Sequence, residues 1–95
     1  MKIKIYRASN APTNRAISYV FISSNEDIEN IKKVIPNVIL EKLGTLTFFK
    51  EMEINPGEKR IALDADEAIN NITNNRYHIQ GTEIRFSYSQ TKQAP

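Results

Sequence analysis

The sequence predicts an α/β sandwich of the α+β type, in which a small, mostly antiparallel sheet packs against helices in the order ββαβαβ. Segments near both ends alternate apolar and polar residues with period two, which is typical of half-buried strands. Segments in the middle of the chain space their isoleucine, leucine and alanine residues as helices do. A length of 95 residues suffices for one core only, so we expect one domain at residues 1–88 and a flexible C-terminal tail at residues 89–95.

The strand predictions rest on alternation and on β-branched residues. Residues 2–7 alternate lysine with isoleucine, whereas residues 17–23 are apolar on both faces, which places the second strand inside the sheet. These two strands should form a hairpin with a long connection. The third strand, at residues 46–54, should turn one set of side chains to a single face: Leu46, Phe48, Met52 and Ile54. Residues 77–80 begin the last extended segment, where Gly81 indicates a bulge or a tight turn. Residues 82–88 alternate again, either as a separate strand or as a continuation.

The helix predictions rest on caps and on helical spacing. Ser24 or Asn25 is a suitable N-cap for the first helix, because its side-chain oxygen can accept a backbone amide proton. Pro36 ends that helix or begins a second one, and Gly44 is well placed to end the helical region. Asp64 should cap the last helix.

These patterns together predict a buried core. The residues expected in it are Ile5, Tyr19, Phe21, Leu40, Leu43, Phe48, Ile69 and Ile79.

Several short motifs follow one another between Ile3 and Gln80. The first strand ends in Tyr6-Arg7-Ala8, and an aromatic strand follows at residues 19–22. A helix then reads Ile35-Pro36-Asn37-Val38-Ile39-Leu40-Glu41-Lys42-Leu43-Gly44. Residues 59–66 lead into an acidic-capped helix, and Tyr77-His78-Ile79-Gln80 comes last. In this order and spacing the chain resembles the YcgL domain, a small bacterial family.

The chain departs from the family pattern at several positions. Ala8 replaces a serine, Leu43 replaces an aromatic residue, and Arg76 stands where a glycine is usual. After Gln80 the family commonly continues into prolines, whereas here Gly81 leads to another strand-like segment. The resemblance implies helices packed on a sheet, and it carries no established catalytic residues that could be transferred.

Composition excludes several chemistries. The chain has no cysteine, so disulfides, thiolate metal sites and a cysteine nucleophile are excluded. His78 is the only histidine; it could be a general base or a metal ligand, but we favour a strand residue that faces solvent or a neighbour. Asp64, Asp66 and Glu67 could bind a metal or take part in acid–base chemistry, but we favour a cap with carboxylates near a helix N-terminus. We therefore expect no catalytic residue, no cofactor and no metal.

A basic and aromatic set at the terminal strands is the candidate site. A sheet face of this kind can attract the backbone of a single strand and stack its bases. The alternative is an ordinary charged outer face whose lysines discourage edge pairing. The net charge is only +2, so any binding should be weak and dominated by phosphate contacts. The possible contact residues are Lys2, Lys4, Tyr6, Arg7, Arg76, Tyr77 and Arg85.

The function expected from the sequence is that of a non-enzymatic interaction or accessory module in the bacterial cytoplasm, with a protein partner whose identity the sequence does not give. No signal peptide or membrane span is evident, so we expect no membrane association. The alternative is a weak RNA-binding or single-strand-binding domain that uses the basic sheet face.

Overall fold

The structure is a computed structural model that describes residues 1–10, 16–60 and 63–83. In chain order its elements are β1 (Lys2–Ala8), β2 (Ala16–Ser23), α1 (Ile28–Lys32), α2 (Asn37–Leu43), β3 (Leu46–Glu53), β4 (Lys59–Arg60), β5 (Leu63–Asp64), α3 (Ala65–Asn75) and β6 (His78–Glu83).

Four strands form one sheet in the order β3-β1-β2-β6, and every neighbouring pair is antiparallel. The predicted α+β class is therefore confirmed, as is the position of β2 inside the sheet. The observed order differs from ββαβαβ in two details. Pro36 separates α1 from α2, and β4 and β5 form a small separate hairpin.

The sheet carries a hydrophobic core on each face, because α3 covers one side and α1 with α2 covers the other. We call these sides the α3 face and the α1/α2 face. The core of the α3 face contains Ile3, Ile5, Phe21, Ile54, Ala65, Ala68 and Ile72. The core of the α1/α2 face contains Ala8, Val20, Ile22, Ile31, Ile35 and Leu43. Burial on both sides explains why β2 is apolar on both faces.

Most of the predicted core is at least half-buried. Ile5, Phe21 and Leu43 are buried, and Tyr19, Leu40, Ile69 and Ile79 pack against the two cores. The prediction was wrong for Phe48, whose exposed fraction is 53%. Phe48 lies on β3 at the edge of the described sheet, where it has a strand on one side only.

An extra residue in β3 changes the faces on which its side chains lie. Phe49 stands between Phe48, which pairs with Tyr6, and Lys50, which pairs with Ile5. Such a β-bulge places two residues opposite one and shifts the alternation beyond it. The prediction of a single apolar face on β3 was wrong for this reason. The large apolar residues divide into Leu46 and Phe48 on the α1/α2 face and Met52 and Ile54 on the α3 face.

The first helix begins later than predicted. Asp27 is the N-cap of α1, and its Oδ1 accepts the amide of Glu29 at 3.0 Å. Ser24 and Asn25 do not cap the helix, because the chain first makes a turn in which the amide of Glu26 donates to the carbonyl of Ser23.

The other caps are confirmed. Pro36 and Gly44 bound α2, and Asp64 Oδ1 accepts the amides of Asp66 and Glu67 at 3.0 and 3.2 Å. Carboxylates in the first turn of α3 are also favourable to the helix dipole. Arg76 ends α3 in the left-handed conformation with φ 77°.

The last strand passes through Gly81 without interruption, since Gly81 pairs with Ser18 in regular register. The predicted bulge or turn at Gly81 was wrong, and the segment after it continues β6 as far as Glu83. Nothing lies within 4 Å of a Cβ atom built on Gly81, so neither packing nor backbone conformation requires a glycine there. The boundary at residue 88 and the tail at residues 89–95 lie outside the described residues.

Candidate binding surfaces

The predicted basic and aromatic residues do not lie on one surface. β2 separates β1 from β6, so the two terminal strands are not neighbours. Alternation along β1 places Lys2, Lys4 and Tyr6 on the α1/α2 face and Arg7 on the α3 face. Arg85 lies outside the described residues.

Carboxylates accompany the lysines of β1. Lys2 pairs with Glu53 and Lys4 with Glu51 in the antiparallel ladder with β3. Directly opposite residues of an antiparallel pair share a face and lie close together. The positive charge of this face is therefore compensated locally.

Tyr6 is half-buried on the same face and packs edge-on against Phe48, with 5.6 Å between ring centroids. Burial raises the pKa of Tyr6, and the carboxylates of Asp27 and Glu29 raise it further. The charge of Lys32 opposes this effect, so the surroundings of Tyr6 are largely apolar and carry both signs of charge rather than a clear positive potential for a phosphate.

Arg76 is engaged in an ion pair across the molecule. Its Nε and Nη2 donate to Glu26 Oε2 and Oε1 at 3.1 and 3.0 Å, which is the bidentate geometry of a strong charge-assisted pair. The hydrogen bond lowers the pKa of Glu26 and raises the pKa of Arg76. Tyr77, the next residue, packs against the core of the α1/α2 face.

His78 is buried on the α3 face and uses both ring nitrogens. Its Nδ1 lies 2.9 Å from Asn71 Nδ2, and its Nε2 lies 2.9 Å from Gln80 Oε1. If the asparagine amide donates, the histidine must carry its proton on Nε2 and donate to the glutamine. His78 also packs against Phe21, with 5.6 Å between centroids. It faces neighbours, as the favoured interpretation predicted.

The acidic cluster serves the fold. Asp64 caps α3, and Asp66 Oδ1 accepts the amide of Gly57 at 2.8 Å. Gly57 belongs to the turn at Asn55-Pro56-Gly57-Glu58, in which the amide of Glu58 donates to the carbonyl of Asn55. Within the described ranges, no three His, Asp or Glu side chains come together in a group that could hold a metal ion.

One basic and aromatic cluster was missed by the sequence analysis. Tyr19 and Phe49 lie 5.7 Å apart between ring centroids, and Lys50 Nζ lies 5.5 Å from the centroid of Phe49. Arg7 is exposed and pairs with Tyr19 in the ladder. We call these four residues the open end of the α3 face. The signal was the broken alternation of β3, where Phe49 and Lys50 stand on the wrong faces for a regular strand.

The outer edge of β3 is a second distinctive surface. Within residues 1–10, 16–60 and 63–83, β3 pairs only with β1. Five consecutive residues, 47–51, are exposed. Phe48 and Phe49 are among the large apolar residues with exposed side chains, at 53% and 49%.

An open groove of about 370 Å³ lies where the α1–α2 turn meets the end of α3. Its lining consists of Val34, Pro36, Asn74, Asn75, Arg76 and Tyr77. Its only charged lining residue is Arg76, which Glu26 already engages.

A family model described as the YcgL domain matches residues 3–82, a range that begins in β1 and ends in β6. No curated protein and no solved structure matches the chain significantly. No helix among the described residues is long and apolar enough to cross a membrane.

Proposed function

The chain belongs to the YcgL domain family, and we propose that it is a non-enzymatic accessory module of the bacterial cytoplasm that binds a partner protein. The observation that carries this proposal is the outer edge of β3. An exposed sheet edge can accept an extended segment of another protein as an additional strand, with main-chain hydrogen bonds providing affinity. The partner is therefore a protein with an accessible extended segment.

The hydrogen-bond pattern identifies the backbone groups available for pairing. Met1 and Ile54 exchange both backbone bonds, at 2.7 and 2.9 Å, so they form a hydrogen-bonded pair. Such pairs alternate with non-hydrogen-bonded pairs along an antiparallel ladder. Glu53 and Glu51 occupy the non-hydrogen-bonded positions, opposite Lys2 and Lys4. Their backbone N–H and C=O groups consequently point away from β1, towards an incoming strand.

Side chains on the α1/α2 face set the chemistry of the partner segment. Phe48 offers an apolar contact on this face. Glu51 and Glu53 each lie opposite a lysine of β1, but they stand on the outermost strand, so their carboxylates are next to an incoming segment as well. A segment that carries both an apolar and a basic residue on one face complements this arrangement. The bulge at Phe49 and the charges of β3 limit indiscriminate edge pairing, which favours a short and specific segment.

The non-enzymatic part of the proposal is supported by how the reactive side chains are used. His78 engages both ring nitrogens with amide side chains. Asp64 and Asp66 accept backbone amides that fix α3 and the preceding turn. These groups stabilise the fold, and their contacts leave them poorly placed for acid–base chemistry on a substrate.

A selection experiment tests the proposal. Random peptides of about nine residues, long enough for one strand, are displayed on phage and selected on the full chain, with counter-selection on Glu51→Pro. We expect enriched peptides with an apolar–basic pattern that protect the amides of Glu51 and Glu53 from hydrogen exchange. Absence of enrichment over the Glu51→Pro chain, or protection confined to another surface, would contradict strand addition at β3.

The alternative function, binding of RNA or single-stranded nucleic acid, stays a prediction for the residues first proposed. Compensating carboxylates beside Lys2, Lys4 and Arg76 weigh against the α1/α2 face. A different cluster, the open end of the α3 face, favours the same ligand class elsewhere on the sheet.

A further inference from the structure

We propose that the open end of the α3 face binds a single-stranded nucleic acid, through base stacking on Phe49 and Tyr19 and phosphate contacts with Arg7 and Lys50. This inference is independent of strand addition at β3. It rests on side chains of the α3 face, whereas strand addition uses backbone groups of Glu51 and Glu53.

The aromatic side chains form a small platform. The rings of Tyr19 and Phe49 are tilted by 42° with centroids 5.7 Å apart, and Phe49 is 49% exposed. Tyr19 is half-buried against the core of the α3 face, so its position is fixed by packing. Stacking on aromatic faces is a sequence-tolerant way to hold unpaired bases, since every base has a π-face.

Two cations border the platform. Lys50 Nζ lies over the ring of Phe49, and Arg7 is directly opposite Tyr19 in the β1–β2 ladder. Lys50 of β3 pairs with Ile5, two positions from Arg7 on β1, so the two residues are offset by about 7 Å along the strand direction. No ion pair engages either cation within the described residues.

The electrostatic contrast with the other face favours this location. The strand residues that pair with Arg7 and Tyr19 on their other sides are Thr47 and Gln80, neither of which is a carboxylate. On the α1/α2 face, each lysine of β1 has a glutamate opposite. A polyanion is therefore attracted to the open end of the α3 face and discouraged from the opposite surface.

The arrangement also predicts the kind of binding. Two cations can neutralise about two phosphates, so the logarithm of the binding constant should fall with the logarithm of salt concentration with a slope of about −1.4 on a single strand. The platform offers ring faces to the bases, so little sequence preference is expected. The site should prefer single strands, because a base paired within a duplex cannot reach the rings.

Fluorescence anisotropy with a labelled oligothymidylate of about ten nucleotides tests the proposal on the full chain at several salt concentrations. Phe49→Ala should weaken binding about fivefold or more, as expected for one stacked base. Phe48→Ala is the matched control, because this neighbour has a similar exposed fraction on the opposite face. It should leave the affinity unchanged.

A second pair of variants separates local from global charge. Arg7→Glu with Lys50→Glu should weaken binding strongly and remove the salt dependence of the binding that remains. Lys33→Glu with Lys42→Glu changes net charge equally at two exposed positions, the C-cap of α1 and a residue within α2, and should retain most of the affinity. Circular dichroism of each variant establishes that the fold is kept.

Several outcomes would overturn the proposal. These are no binding by the unmodified chain, an equal loss in Phe48→Ala and Phe49→Ala, or an equal loss in the two charge-reversed pairs. Binding of polyglutamate with the same affinity and no dependence on Phe49 would assign the surface to an acidic protein segment instead. Self-association abolished by Phe49→Ala would assign it to a second copy of the chain.

Discussion

Arg76 shows how one position can depart from a family pattern and keep its structural role. The residue has φ 77° at the C-cap of α3, a conformation in which glycine is free of the strain that a side chain causes. The resemblance to the YcgL domain places a glycine here. The arginine side chain pairs with Glu26, a contact that a glycine would lack, and this contact joins α3 to the loop before α1.

Arg76→Gly should therefore have an effect that depends on pH. The variant removes backbone strain but also removes the partner of Glu26, whose pKa the ion pair lowers. A lowered pKa means that the pair contributes stability above the unfolded-state pKa of about 4.5 and loses it as pH falls through the folded-state value. We expect a higher unfolding midpoint than the parent chain in acid and a smaller gain near neutral pH. Thermal unfolding in acid and near neutral pH measures the midpoint of Arg76→Gly, with Glu26→Gln as the control. A gain in midpoint that is larger at neutral pH would be inconsistent with a stabilising ion pair between Arg76 and Glu26.

The three glycines differ in how well each position would tolerate a side chain. A Cβ atom on Gly44 would lie 2.5 Å from Ser9 Oγ, and its φ is 77°. Gly57 has φ 79° but open space around it, whereas Gly81 has neither constraint. Gly44→Ala should thus lower the free energy of unfolding by more than about 2 kcal/mol, Gly57→Ala by about 1, and Gly81→Ala by nothing. Denaturant unfolding gives the ranking of the three variants. A small loss of unfolding free energy in Gly44→Ala would show that Ser9, just after the end of β1, can move away from the added methyl group.

Among the elements, α3 has the best-defined start. Asp64 accepts two amides of the first turn, so Asp64→Ala should cost about 1 kcal/mol of unfolding free energy with little change in structure. Glu67→Ala is the matched control, since it removes a first-turn carboxylate that is not the cap. Equal stability of the Asp64→Ala variant and the parent chain in denaturant would count against the cap.

The edge position of β3 predicts how the strand should respond to proline substitutions. Glu51 should have its amide pointing outward, and Lys50, opposite Ile5, should have its amide directed to β1. Proline is tolerated on an edge strand only where the lost N–H faces solvent. Glu51→Pro should therefore fold with nearly unchanged stability, whereas Lys50→Pro should lose at least about 1 kcal/mol. If denaturant unfolding gave the reverse ranking, the assignment of hydrogen-bonded and non-hydrogen-bonded positions along β3 would be wrong.

The elements also show where sequence reasoning succeeds. Alternation, helical spacing and caps located β1, β2, α2 and α3, because these signals are local. The face reversal within β3 was not predicted, although the misplaced Phe49 and Lys50 were visible, because a bulge depends on the partner strand. The start of α1 was misplaced because the turn after β2 is stabilised by a backbone bond that composition does not reveal.

Across the whole molecule, the candidate site depends on strand order, which local patterns do not specify. With β2 between β1 and β6, residues grouped by the sequence become separated. Lys4 and Arg7 are three positions apart in the chain but lie on opposite faces. Arg7 and Lys50 are distant in the chain but come to the same face. The acidic partners of the lysines were equally invisible until the β1–β3 register was known.

The two hydrophobic cores are separate, but they lie on opposite sides of the same strands, β1 and β2. We therefore expect the described domain to unfold as one cooperative unit. Ile3 and Ile31 are both fully buried, one in each core. Ile3→Val and Ile31→Val should each cost about 1 kcal/mol, and the double variant about their sum, because residues on opposite sides of a sheet share no side-chain partners. All three should show one transition with the parent denaturant slope, by both circular dichroism and tyrosine fluorescence. Two separated transitions in either single variant would mean that each core unfolds independently and that the central strands do not couple them.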